Sequence, residues 1–382
     1  VTSDPIYLDH NATTPLLPEV VDAMLPHLRT HFGNPSSGHV YGVRAARAVD
    51  EARAQVAALL GCDADEIVFT SGGTEANNLA IRGVIDAGER RGVVTSVIEH
   101  PATARPCDRL EALGHAVVRA GVDALGVVRL DEVAATISGE TALVTVMHSH
   151  NETGVLQPIE AIASMARAAG AVMHTDAAQS VGKVPIDVRA LGVDLLSVAG
   201  HKLYAPKGVG ALYVRRGTRI VPFVRGAGHE RGLRPGTENV ASLVGLGAAC
   251  AIAMRDLGEV RARVEALRDA LCDRLAASVP GLVVHGVGPN GARAPRLPNT
   301  LHVRFPRASG EAILRAAPEV AASTGSACHD GHDTPSAAIV AMGVAPIDAL
   351  GSVRLTLGRS TSAHDVARAA DALARAWRAL SP

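Results

Sequence analysis

The sequence predicts an α/β protein, with a large domain on a mostly parallel sheet and a smaller α+β domain beside it. Three observations predict this. The chain has 382 residues, more than one compact core usually holds. From about Ile67 to Val214, short apolar runs rich in β-formers alternate with Ala-rich helical stretches. Beyond a long helical stretch at about Ala241 to Ala277, the strand-like segments change to alternating polarity.

The apolar runs are Ile67–Thr70, Val93–Ile98, Ala142–Met147, Val172–Thr175, Leu195–Val198 and Gly210–Val214. Most are continuously apolar, as expected for strands covered by helices on both faces. Ile159 to Ala169 reads as one of the covering helices. Later, Leu301–Phe305 and Val353–Leu357 alternate, and Ala363 to Leu380 reads as an amphipathic helix. Strands followed by helices suit a small α+β domain. The expected division is 16–257 for the large domain, with 1–15 and 258–382 forming the small one.

Composition narrows the function classes. Hydrophobic residues make up 47% and aromatic residues 2%, so the core must be built from Ala, Val, Leu and Ile. Net charge is −1, which provides no general basic field for nucleic acid or an anionic membrane. No apolar run is expected to span a membrane, and the first residues do not read as a signal peptide. Five scattered cysteines, an odd number, suit reduced thiols in a cytoplasmic protein.

Four segments place chemistry at predicted strand ends. In Gly200-His201-Lys202 a strand ends, glycine turns the chain and a lysine follows. A lysine amine held there can form a Schiff base with an aldehyde cofactor such as pyridoxal 5′-phosphate. Asp176 precedes Lys202 by 26 residues and ends another strand, where a carboxylate can pair with a pyridine nitrogen. Gly72-Gly73-Thr74 leads from a strand into a helix start, whose free N–H groups can cradle a phosphate. His100 follows a fourth strand, where an imidazole can stack on a ring and move protons. A metal site at Cys328, His329 and His332, or at His148 and His150, is the competing reading. The spacing matches no paired-cysteine framework, so no metal is expected.

Motifs along nearly the whole chain resemble the cysteine desulfurase and selenocysteine lyase family of fold-type I pyridoxal-phosphate enzymes. They are Tyr7 to Pro15, Gly33 to Ser37, Thr70 to Asn78, Asn151 to Gly154, Asp176 to Ser180 and Gly200 to Lys202. Further on come Arg234 to Asn239, Gly325 to Cys328 and Leu357 to Thr361. The resemblance implies a seven-stranded sheet in the large domain and release of L-alanine from L-cysteine, or from L-selenocysteine. It implies that Lys202 is the Schiff-base lysine, that His100 stacks on the ring and that Asp176 pairs with its nitrogen. Asn151 and Gln179 would sit near the phenolic oxygen. Gly73, Thr74 and His201 would hold the phosphate, joined by Thr237 from the other subunit of a homodimer. Arg359 would bind the substrate carboxylate, with Asn151 also near the substrate. Cys328 would become the persulfide that passes sulfur to an acceptor protein. Relatives supply sulfur for iron–sulfur clusters, transfer-RNA thiolation or DNA phosphorothioation, with no direct nucleic-acid contact implied for this chain. Two departures stand out. Ala199 replaces the serine of a Ser-Gly-His-Lys order, which removes one phosphate contact. The stretch after Ala327 resembles the selenocysteine lyase branch, as does Arg234 to Asn239.

Overall fold

The structure is a computed structural model that describes residues 4–288, 290–325 and 334–381. Among them, seven strands form one sheet. From one edge to the other its order is Ile67–Thr70, Gly210–Val214, Leu195–Ala199, Val172–Asp176, Thr141–Thr145, Gly92–Ser96 and Val117–Ala120. Gly210–Val214 runs antiparallel to both of its neighbours. The remaining pairings are parallel.

The continuous apolar runs have a direct cause. Successive side chains in a strand point to opposite faces, and helices cover both. Phe69, Val144, Leu196 and Ala211 enter one hydrophobic cluster. Val68, Leu143, Leu195 and Leu212 enter another on the opposite face, with Leu79 and Ile81 of the helix Gly73–Ala87. The edge strand Val117–Ala120 was not expected from the sequence, because it is only partly covered, with Val118 exposed and Val117 and Arg119 half-buried.

A third cluster gathers Leu8, Leu271, Leu301, Phe305, Leu355 and Trp377. Here Thr300–Arg304 lies between Ser352–Thr356 and Val283–Val284 in an antiparallel sheet. The early strand Ile6–Tyr7 pairs in parallel with Val320–Ala321. All five residues of Ser352–Thr356 are buried, so its polar alternation does not mark a solvent face.

The helix Val240–Ser278 crosses position 258, the expected domain boundary, without a break. Val240, Leu243 and Leu246 pack into the sheet's core, and Val264, Leu271 and Leu275 into the small sheet's core. By length and composition this helix could cross a membrane, which corrects the expectation that no run reaches that length. Its apolar residues are instead spent on the two cores.

Candidate active site

Five of the six strands that run in one direction, all but the edge strand Val117–Ala120, deliver their C-terminal ends towards one cavity of about 240 Å³. Its lining includes Gly73, Thr74, His100, Asn151, Asp176 and Gln179, with Ala199, His201 and Lys202. Eight of the expected residues therefore meet, although they are spread over about 130 positions of sequence.

Each side chain is placed by local structure. Gly73 opens the helix Gly73–Ala87, leaving backbone N–H groups of its first turn free. A β-carbon on Gly73 would stand 3.2 Å from that of Ala199, so the turn lies directly against the strand end that leads to Lys202. Gly210 allows this approach, since its β-carbon would come within 2.7 Å of the Gly72 backbone. Glu230 secures the strand before the turn. It accepts from the Phe69 amide at 2.7 Å and pairs with Arg53 at 2.6 Å.

Asp176 is buried at the end of the central strand. Its Oδ2 accepts from the Asn77 amide at 2.6 Å and its Oδ1 from the Ala178 N–H at 2.9 Å. One layer below, His174 is fixed between the hydroxyls of Thr145, at 2.7 Å, and Ser197, at 3.0 Å. Burial pushes its imidazole down to about 4, which leaves it neutral.

His100 caps the helix Pro101–Ala112, its Nδ1 accepting from the Ala102 N–H at 3.1 Å. Burial, opposed by the Asp176 charge, lowers its pKa. His201 reaches Thr13 at 3.2 Å, and burial together with Lys202 lowers it to about 4. Lys202 follows the strand Leu195–Ala199 in a single helical turn. Its Nζ donates to the carbonyls of Asn11 at 2.5 Å and Ala12 at 2.8 Å. Burial, then the charge of Arg354, bring this amine down to about 8.

Two other expected residues do not line the cavity, and a third lies outside the described residues. Thr237 is exposed and outside the lining of its own chain's cavity. Cys328 lies outside the described residues. Arg359 is a correction. Its guanidinium pairs with Asp256 at 2.7 Å and stands over the Tyr204 ring, lining a separate small cavity. The charge that acts on Lys202 is Arg354, which donates to the Asn151 carbonyl at 3.2 Å, to Asp9 at 2.8 Å and to Ser323 at 2.9 Å. Its Nε is buried without a partner among the described residues. No local signal singled it out, because Arg354 stands at a polar position of an alternating strand whose full burial emerges only in the fold. Asn11, whose main-chain carbonyl receives Lys202, and Asn77, whose side-chain amide donates to Asp176, were also missed as individual contributors.

With this geometry established, comparison with known proteins is informative. The aminotransferase class-V family matches residues 6–369. The chain is 44% identical to a cysteine desulfurase of Trichormus azollae over 99% of its own length and 94% of the relative's. A solved NifS-like protein superposes with a TM-score of 0.89 at 33% identity, covering 97% of this chain and 98% of the other. A structure of SspA in complex with cysteine gives a TM-score of 0.79 at 34% identity, with 92% and 98% covered.

Proposed function

The chain belongs to the aminotransferase class-V family and, within it, to the cysteine desulfurases, and on that premise we propose how its residues divide the reaction. The cofactor is pyridoxal 5′-phosphate. The donor set suits it: a helix start with free N–H groups, a buried carboxylate, an imidazole and a lysine amine share one cavity. Gly73, Thr74 and His201 would hold the phosphate, and Asp176 the ring nitrogen. His100 would cover the ring, while Asn151 and Gln179 serve the phenolic oxygen. When bound, the cofactor supplies an aldehyde for amine exchange and a ring that withdraws electrons.

The remaining work falls to the chain. Arg354, with its free Nε, binds the carboxylate of L-cysteine. Lys202, with an amine near 8, takes the Cα proton and later returns one. The Cys328 thiolate attacks the substrate sulfur, forming an S–S bond as the substrate's C–S bond breaks. L-Alanine leaves, and the persulfide sulfur passes to an acceptor protein. Thr237, exposed and away from its own cavity, serves the cavity of a second copy in a homodimer. The four described cysteines are free, which supports a reducing, cytoplasmic setting.

The observation that carries the reading is the meeting of Lys202, Asp176 and the Gly73 helix start at one cavity. Borohydride reduction of the yellow protein followed by peptide mapping tests it. The reading expects the cofactor fixed on Lys202, and label on another lysine overturns it.

A further inference from the structure

Behind the cavity lies a lysine that the proposed reaction does not use. Lys183 is half-buried, and its Nζ donates to Gln179 Oε1 and to Asn11 Oδ1, each at 2.9 Å. It lines a small neighbouring cavity with His10, Tyr204 and Arg359 and does not line the larger one. Burial lowers its pKa well below the usual lysine value, yet an amine donates to these two oxygens in either protonation state.

We propose that Lys183 is a positioning residue that fixes which end of the Gln179 amide faces the cofactor. The inference rests on the pyridoxal-phosphate reading above. A lysine offers donors, so the oxygen end of Gln179 must turn to it. On the other side, Gln179 Nε2 donates to the main-chain carbonyl of Asn11 at 2.9 Å, a group that can only accept. Both neighbours therefore demand the same orientation. One Nε2 hydrogen is left over, and it is what Gln179 has to offer the cavity it lines. An anionic phenolic oxygen requires a donor there, and the flipped amide would present an acceptor instead. Asn11 is locked as firmly. Its Nδ2 donates to the Asn151 carbonyl at 3.2 Å and to Thr300 at 2.9 Å, while its Oδ1 also accepts from Asn299 at 3.0 Å. Its carbonyl receives Lys202 as well as Gln179.

A double-mutant cycle tests the inference, with equilibrium dialysis of pyridoxal 5′-phosphate against the apoprotein as readout. The pH midpoint of the bound cofactor's visible band is the second readout. Lys183→Met should weaken binding roughly three- to tenfold, the loss of about one hydrogen bond's ordering, and shift the midpoint upward. In a Gln179→Leu background, Lys183→Met should add little, because the residue acts through Gln179. Wild-type affinity and midpoint in Lys183→Met, or a full additive loss in the double variant, overturns the inference. Gln179→Glu tests the same orientation with Lys183 intact, since it keeps the oxygen and removes the N–H. It should lose as much affinity as Gln179→Leu, and unchanged affinity overturns the inference even if Lys183→Met does not fold. A wild-type protein that binds no pyridoxal phosphate removes the parent reading and this inference together.

Discussion

Arg354 donates to the main-chain carbonyl of Asn151 at 3.2 Å, which joins a guanidinium of the small sheet to the rim of a cavity built by the large one. Arg359, five residues further on, turns away to Asp256. The two arginines should therefore behave differently. Arg354→Gln should raise KM for L-cysteine by roughly tenfold to a hundredfold, the loss of charge-assisted hydrogen bonds to a carboxylate. Arg359→Gln should leave KM within about threefold and act mainly on stability, through a partly exposed ion pair. Steady-state kinetics with a thermal melt for each variant decides between them.

The Lys202 amine gives a pH signature. Its pKa is depressed to about 8 by burial and by Arg354. Below that pH it is an ammonium with no lone pair; above it, an amine that can attack. The rate at which apoprotein recombines with pyridoxal 5′-phosphate should climb through about pH 8 and then level. Arg354→Gln removes a positive charge that disfavours the ammonium, so the midpoint should move up. Stopped-flow absorbance across pH 6.5 to about 10 reads both effects, and a midpoint near that of free lysine would contradict the assigned environment.

Glu99 predicts a stability effect. The carboxyl is buried, accepts from Ser96 and from the Met147 N–H at 3.1 Å, and is pushed up to about 8 mainly by desolvation. Its folded pKa lies above the unfolded one, so its contribution is fully present below about 4.5 and is lost as pH rises through 8. Glu99→Gln stays neutral throughout. Relative to the variant, the wild type should lose stability across that window, by up to about 1.4 kcal/mol per pH unit. Urea melts of both proteins at several pH values measure the difference, and parallel pH profiles would show that Glu99 is not held protonated.

Cys328 and Thr237 are tested by chemistry and complementation. Cys328→Ala should lose essentially all persulfide and sulfide formation from L-cysteine while keeping the cofactor's visible band. Thr237→Ala and Lys202→Ala chains, each impaired alone, should regain some activity when mixed, because one of the two sites in a hybrid dimer is whole. No recovery after demonstrated subunit exchange counts against a shared cavity.

The sequence made the large sheet legible because burial on both faces leaves largely apolar runs, as at Thr141–Thr145 and Leu195–Ala199, where every residue is buried. Residues at strand ends were legible for a related reason: Asp176 and Lys202 interrupt apolar patterns where parallel strands open onto a crevice. Val117–Ala120 was not legible, since an edge strand half open to solvent carries a mixed pattern. Nor was the choice between Arg354 and Arg359. The two stand close together in sequence, and only the packing of Asp256 and Asp9 sends their side chains to different places. The Asn11 contacts were hidden for a different reason. They reach partners up to 345 residues away, a relation that no local pattern encodes.

The pairing of Ile6–Tyr7 with Val320–Ala321 has a consequence for the nascent chain. Synthesis proceeds at about 5–20 residues per second, so the first strand emerges on the order of half a minute before its partner. Until the segment from Asn299 to Thr356 has been made, Leu8 lacks much of its core and Asn11 lacks its full set of partners, Asn299, Thr300 and Thr356. The large sheet can form earlier on the ribosome, but Asn11, whose carbonyl seats Lys202, is not yet held by Asn299, Thr300 and Thr356. A polypeptide still being translated therefore carries the lysine without the means to use it, and the site becomes competent only when the last strands of the small sheet close over the beginning of the chain.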